Sequence, residues 1–187
     1  MLEKLLEFDR KLLLYINNFG IENHDGFWIF ITNPISWLPL YLGILAIIWF
    51  YFNPTKFYTI FLQVLLVLLV CGLTTYLVKI SVGRLRPEFL DSFQNHLRVL
   101  SHPTSHSFFS GHAANSFAIA TFVVLVLREK TKWAYLIFIW PLLFSYSRMY
   151  LGVHYPSDIL VGTLVGVLIA YLVYKYVYLK KKNTSIS

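Results

Sequence analysis

Long apolar runs separated by short polar joints dominate the chain. Four of them approach the roughly 20 residues an α-helix needs to cross about 30 Å of hydrocarbon. The first lies within Phe27–Phe52 and should start near Ile35, since Pro34 and Pro39 disturb its beginning. The others are Phe57–Val78, Trp133–Tyr150 and Ile159–Leu179. A shorter run, Ala113–Leu127, stops at Arg128. It must either begin in the loop before it or pack inside a bundle. The pattern predicts an all-α fold, a polytopic membrane helical bundle of about five transmembrane helices. Trp37, Trp49, Trp133, Tyr155 and Tyr178 fall near span ends, where aromatic belts sit.

Ahead of the spans, Leu2, Leu5, Leu6, Leu13 and Ile16 fall roughly on one helical face. Glu3, Lys4, Glu7, Arg10 and Lys11 lie largely off it. Such a helix either rests on the membrane surface or packs on the bundle. Its scattered charges do not read as a signal peptide. The expected organisation is one membrane-embedded domain over residues 1–187: an amphipathic interfacial helix at 1–20, a transmembrane core at 27–179 and a basic cytoplasmic tail at 180–187.

Composition narrows the class. Hydrophobic residues make up 57% of the chain and charged ones 13%, which excludes a disordered chain and argues against a water-soluble globule. The single cysteine, Cys71, excludes an intramolecular disulfide framework and a multi-cysteine zinc site. Net charge is +7. On so apolar a chain this points to anionic lipid or a phosphate-bearing lipid substrate, and no nucleic-acid partner is expected. Lys56, Arg128, Lys130, Lys132, Lys180, Lys181 and Lys182 fall on one side of the predicted layout, and basic loops mark the cytoplasmic face. The expectation is an integral inner (cytoplasmic) membrane protein. Its Gly83–Gly111 loop and Leu151–Pro156 turn would face the periplasm or cell exterior. Arg84, Arg86 and Arg98 run against the charge rule there, unless they bind something.

That outer side collects the unusual polar residues. Lys79 ends one span and Arg86 follows; Ser110, Gly111 and His112 open the next; Arg148 closes another; His154 and Asp158 straddle the start of the last. Ionisable residues at such depth point to function. Lys79, Arg86 and Arg148 would converge as three cations suited to phosphate oxygens. Ser110 and Gly111 sit where free backbone N–H groups of a helix start favour an anion. This phosphate cradle calls for no metal and no cofactor. Asp158, in the first turn after Pro156, can reach back to one imidazole nitrogen of His154 and free the other to attack. His112 can protonate the leaving oxygen.

The same residues carry a resemblance. Lys79 to Arg86-Pro87 matches K-x6-R-P, Phe109-Ser110-Gly111-His112 is similar to P-S-G-H, and Ser147-Arg148 through His154 to Asp158 matches S-R-x5-H-x3-D. The chain resembles the type 2 phosphatidic acid phosphatase family, whose superfamily includes the vanadium haloperoxidases. The resemblance implies a metal-independent membrane lipid phosphatase. It assigns His154 as nucleophile, Asp158 as its orienting partner and His112 as general acid, with Lys79, Arg86, Ser110, Gly111 and Arg148 binding phosphate. It also implies a substrate such as undecaprenyl diphosphate, phosphatidylglycerol phosphate or phosphatidate, with lipid A phosphate as an alternative. Phe109 replaces the motif's proline, which should alter preference without abolishing activity.

Competing readings use the same residues: phosphate transfer between lipids, anion binding without turnover, or halide oxidation with vanadate. His102 and His106 have a spacing that can hold zinc on a helix, but Pro103 between them argues for polar loop histidines. Arg84 and Arg98 read as lipid-headgroup contacts. Glu22, Glu88 and Asp91 read as solvated loop carboxylates. Gly162 and Gly166 predict close helix packing.

Overall fold

The computed structural model describes residues 2–180 except 91, 92, 94 and 95. Asp91 and the tail beyond Lys180 therefore lie outside the described residues. The chain forms α1 (Leu2–Asn18), α2 (Glu22–Thr32), a 3-10 turn (Pro34–Trp37) leading into α3 (Leu38–Tyr51), and the long α4 (Pro54–Val82). A loop that includes a 3-10 turn (Pro87–Phe89) leads to α5 (Gly111–Leu127). A 3-10 stretch (Lys132–Phe138) feeds α6 (Ile139–Tyr150), and α7 (Pro156–Val173) continues through a π-helical turn (Tyr174–Tyr178).

Local chemistry sets these boundaries. Pro34 separates α2 from α3, so the first span begins there, close to the expected Ile35. The side chain of Asn53 accepts from Lys56 N at 2.9 Å and Pro54 takes the first helical position, so α4 begins before the expected Phe57. It ends at Gly83, whose φ of 61° is the left-handed conformation glycine adopts without a Cβ clash. Ser110 caps α5 by accepting from Ala113 N at 3.4 Å.

Pro34–Tyr51, Pro54–Phe89 and Pro156–Tyr178 are long and apolar enough to cross a membrane. On α7, Leu160, Leu164 and Leu168 form a stripe exposed by 60%, 60% and 56%, a surface suited to lipid. The 17-residue α5 is different: eleven of its residues are buried, so it packs inside the bundle. Alanines 113 and 114 let α7 lie directly against it. A Cβ on Gly162 would come within 2.6 Å of Ser110 O, and one on Gly166 within 2.2 Å of Ala114 O. This is the close approach that small residues at spacing four allow.

Successive rods alternate in direction. Thr32 beside Arg148 marks one end of the bundle, with the C-termini of α4 and α6 and the N-termini of α5 and α7. At the other end Lys56 stacks over the Tyr178 ring (4.4 Å), and Lys130 lies 5.8 Å from the Phe52 ring. The helix α1 docks at the first end. The stripe it buries is Asp9, Leu13 and Asn17, while Leu5 is 60% exposed. Leu13 packs with Phe93 and Tyr155. Asn17 donates to Tyr150 O at 2.7 Å and accepts from Arg98 N at 2.8 Å.

Candidate active site

Asp158 and His154 meet where α6 hands over to α7. Pro156 starts α7, which puts Asp158 in the first turn, and its Oδ2 accepts from Tyr155 N at 3.1 Å. That cap aims the carboxylate back at the preceding loop, where Oδ2 lies 3.3 Å from His154 Nδ1. Both side chains are buried. A proton on Nδ1 shared with Asp158 leaves the lone pair on Nε2. Burial holds the His154 imidazole below its ordinary proton affinity, against the pull of Asp158. The neutral, nucleophilic form is thus the resting one.

The cations surround this pair. Arg86 Nη1 lies 3.3 Å from His154 Nε2 and donates to Val153 O at 2.7 Å. Its Nε donates to Ser105 O at 2.6 Å and its Nη2 to Ser105 Oγ at 3.1 Å. Lys79 Nζ donates to His106 O, and to Ser107 O at 3.3 Å. Lys79 and Arg86 therefore also hold the 105–107 backbone over the site. Arg148 Nη1 donates to Thr32 Oγ1 at 2.6 Å, while its Nε is buried without a hydrogen-bond partner among the described residues. Ser110 N donates to Asp158 O at 3.0 Å, tying the start of α5 to α7. A Cβ on Gly111 would press on Thr75 Cγ2 at 3.2 Å. The His112 ring packs 4.9 Å from Phe144 and feels the charges of Arg148, Arg86 and Lys79. All eight residues singled out from the sequence stand at one end of the bundle. Their arrangement offers a neutral imidazole beside a concentration of positive charge, which is what attack on a phosphorus atom requires.

The structure corrects two arginines. Arg84 is not a headgroup contact: its Nη1 donates to Asp158 Oδ1 (2.7 Å) and Ser157 Oγ (2.8 Å), and its Nη2 to Asp9 Oδ2 (2.8 Å). Its guanidinium lies 3.8 Å over the Tyr155 ring. Arg98 is likewise engaged: its Nη2 donates to both carboxylate oxygens of Asp25, at 2.7 and 2.8 Å. Glu88 is not a solvated loop carboxylate either, since its nearly buried side chain meets His102 Nδ1 at 2.6 Å. Among the described residues no three His, Cys, Asp or Glu side chains gather as metal ligands. Phe109 is buried in the main core cluster.

Sequence reasoning missed Ser107, Asp9 and Ser157. The Ser107 hydroxyl donates to Asp158 Oδ2 and lies 3.4 Å from His154 Nδ1. Asp9 accepts from Ser157 N at 2.8 Å as well as from Arg84. A signal for Asp9 existed: it is an acid spaced four residues from Leu13 and eight from Asn17. For Ser107, in a loop without periodicity, there was none.

Beside the site, a partly open cavity of about 590 Å³ is lined by Gly111 and His112 and walled by Tyr41, Ile48, Leu68 and Phe144 among others.

Comparison with known proteins gives a consistent picture. The sequence model of the PAP2 superfamily matches residues 60–182. Lipid A 4'-phosphatase of Porphyromonas gingivalis is 32% identical over 190 residues, covering 97% of this chain and 78% of that protein. Undecaprenyl-diphosphatase of Sulfolobus acidocaldarius is 31% identical over 176 residues, 91% of this chain and 79% of that one. The transmembrane PAP2 type phosphatidylglycerolphosphate phosphatase from Bacillus subtilis superposes with a TM-score of 0.74 at 26% identity, covering 92% of this chain and 86% of that chain.

Proposed function

Since this chain belongs to the PAP2 superfamily and is an integral membrane lipid phosphatase, we propose that it works through a phosphohistidine on His154, without a metal ion. The observation that carries the reading is the buried His154–Asp158 pair with Arg86 at the free imidazole nitrogen. A phosphate oxygen would replace the Arg86–Nε2 contact, bringing phosphorus onto the Nε2 lone pair. The N–P bond forms as the P–O bond to the lipid breaks, and His112 gives its proton to the departing oxygen. Asp158 holds the imidazolium that develops. Water then attacks phosphorus, His112 takes its proton, and the N–P bond breaks to release inorganic phosphate. Lys79, Arg86 and Arg148, with the Ser110 hydroxyl and the N–H of Gly111, stabilise the equatorial oxygens.

The substrate is a phosphomonoester or diphosphate on a membrane lipid. The named relatives act on lipid A, undecaprenyl diphosphate and phosphatidylglycerol phosphate, and each class stays a candidate here, with phosphatidate. Basic residues at the end of the bundle away from the site favour an inner-membrane orientation with the site facing the periplasm or exterior. The test is phosphate release from a panel of these lipids by purified protein with a chelator present. Release should survive chelation and vanish in His154→Ala, with a 32P-labelled protein trapped on rapid quench of the wild type. Release that stops with the chelator, or persists in His154→Ala, would overturn the mechanism. Lipid consumed without equal free phosphate would instead indicate transfer to a lipid alcohol.

A further inference from the structure

The cavity beside His112 is built mainly of apolar side chains, yet its wall contains polar groups with nothing to bind. Asn115 and Trp140 both line it. Asn115 Oδ1 and Trp140 Nε1 are buried, and neither has a hydrogen-bond partner among the described residues. By contrast Ser116 Oγ, on the same wall, donates to Ala113 O at 3.2 Å. Gln63 is also unpaired but does not line the cavity. Within a membrane there is little water to satisfy such groups, so an orphaned acceptor and donor on a ligand-sized wall call for a ligand that carries their complements.

Their position defines where those complements sit. Asn115 follows His112 by three residues on α5, which places it on the same helix face, about 4.5 Å further along the axis. His112 faces the oxygen released by the reaction, so the leaving alcohol extends from His112 into the cavity. A polar group two to four bonds from that oxygen would reach the level of Asn115. Trp140 adjoins the same wall through Phe144, whose ring lies 6.1 Å from that of Trp140 and 4.9 Å from that of His112; an ester or amide carbonyl of the ligand would accept from Trp140 Nε1, and an amide N–H or a hydroxyl would donate to Asn115 Oδ1. A polyprenyl diphosphate leaves as its monophosphate, whose oxygens lie two bonds from the released oxygen and can accept from Trp140 Nε1; it carries no N–H or hydroxyl for Asn115 Oδ1, which would stay unpaired.

We propose that Asn115 and Trp140 form a polar subsite for an acyl linkage, and that the substrate is an acylated lipid phosphate in preference to a polyprenyl diphosphate. This rests on the phosphatase reading above. A site built to hydrogen-bond a substrate discriminates strongly against the analogue that lacks the group, because its own polar atoms then stay unpaired.

The test compares kcat/KM in mixed micelles for four lipids: a diacyl phosphatidate, an N-acyl amino-alcohol phosphate, the dialkyl ether analogue of the phosphatidate, and undecaprenyl diphosphate. Wild type should favour the two acyl lipids over the ether by about tenfold or more, with the amide first. In Asn115→Leu the amide-to-ether ratio should fall towards one, and in Trp140→Phe both acyl-to-ether ratios should do so. A wild-type acyl-to-ether ratio near one, faster turnover of undecaprenyl diphosphate, or variants that slow all four lipids equally would each overturn the subsite. The wild-type ratios decide the matter even where a variant fails to fold. Release that depends on His154 but ignores the linkage removes the subsite and leaves the phosphatase. No release from any lipid removes both.

Discussion

Replacing Arg84 with methionine would leave Asp9 and Asp158 without the cation that joins them. Arg84 bonds the first at 2.8 Å and the second at 2.7 Å, and the two carboxylates are 8% and 0% exposed. At such distances the gross Coulomb attraction per pair is about 6 kcal/mol for an effective dielectric constant of about 20, most of it offset by desolvation. The cost of deleting one partner is another matter, because the survivor stays buried: about 3–5 kcal/mol. For a chain of this size that corresponds to roughly 10 °C in Tm. Catalysis should suffer separately. Asp158 Oδ1 would be bare, and a carboxylate that turns or takes up a proton no longer holds His154 Nδ1. We expect kcat to fall about tenfold or more, a barrier increase of at least about 1.4 kcal/mol, with KM changing less because Lys79, Arg86 and Arg148 are untouched.

The decisive arm is a second substitution. Asp9→Asn removes the extra buried negative charge, so Arg84→Met combined with Asp9→Asn should be more stable than Arg84→Met alone, although Asp9→Asn by itself is destabilising. Thermal unfolding in detergent and steady-state phosphate release measure both sides of this cycle. An Arg84→Met protein with wild-type Tm and kcat would refute the argument, as would an Asp9→Asn change that adds its full cost on top.

Two further expectations follow from the packing and the buried imidazole. Gly166→Ala sets a Cβ 2.2 Å from the backbone oxygen of Ala114 and should push α7 off α5, costing about 1–3 kcal/mol, whereas Gly43→Ala meets nothing within 4 Å and should be neutral or slightly stabilising; equal Tm values for the two would refute the contact. Because neutral His154 is the active form and burial lowers its affinity for a proton, activity should persist on the acid side, with the acid limb of kcat/KM centred below about 6.5 once the ionisation of the phosphate ester is allowed for; a midpoint at or above that value would refute it.

How much of this was legible depends on where each residue gets its partner. The helices of the core announce themselves through runs of apolar residues and through local stops: Asn53-Pro54 before α4, Gly83 after it, Pro156 at the start of α7. His154 and Asp158 are four residues apart, so their meeting is a local property of the first turn of α7 and the loop residues just before it. Lys79, Ser110, Arg148 and His154 were readable as a group because each sits at a span end, and a membrane fixes which ends share a side. Arg84 was misread since its partners are 74 and 75 residues away, and a lone arginine beside a span looks the same whether it faces a headgroup or an acid. The buried face of α1 was misjudged for a related reason. A pattern that scores only apolar positions selects Leu5, whereas Asp9, Leu13 and Asn17 form the contact stripe.

Buried polarity in an apolar chain is therefore the signal to follow. Asp9 and Asn17 interrupt a stripe that would be cheaper to build from leucine, and each is matched by donors or acceptors from distant segments. The same expectation applied to Asn115 and Trp140 meets no protein partner among the described residues, and both line a cavity that His112 also lines. An unmatched pair in that place argues for a partner supplied by the substrate, for the same physical reason that Asp9 argues for Arg84.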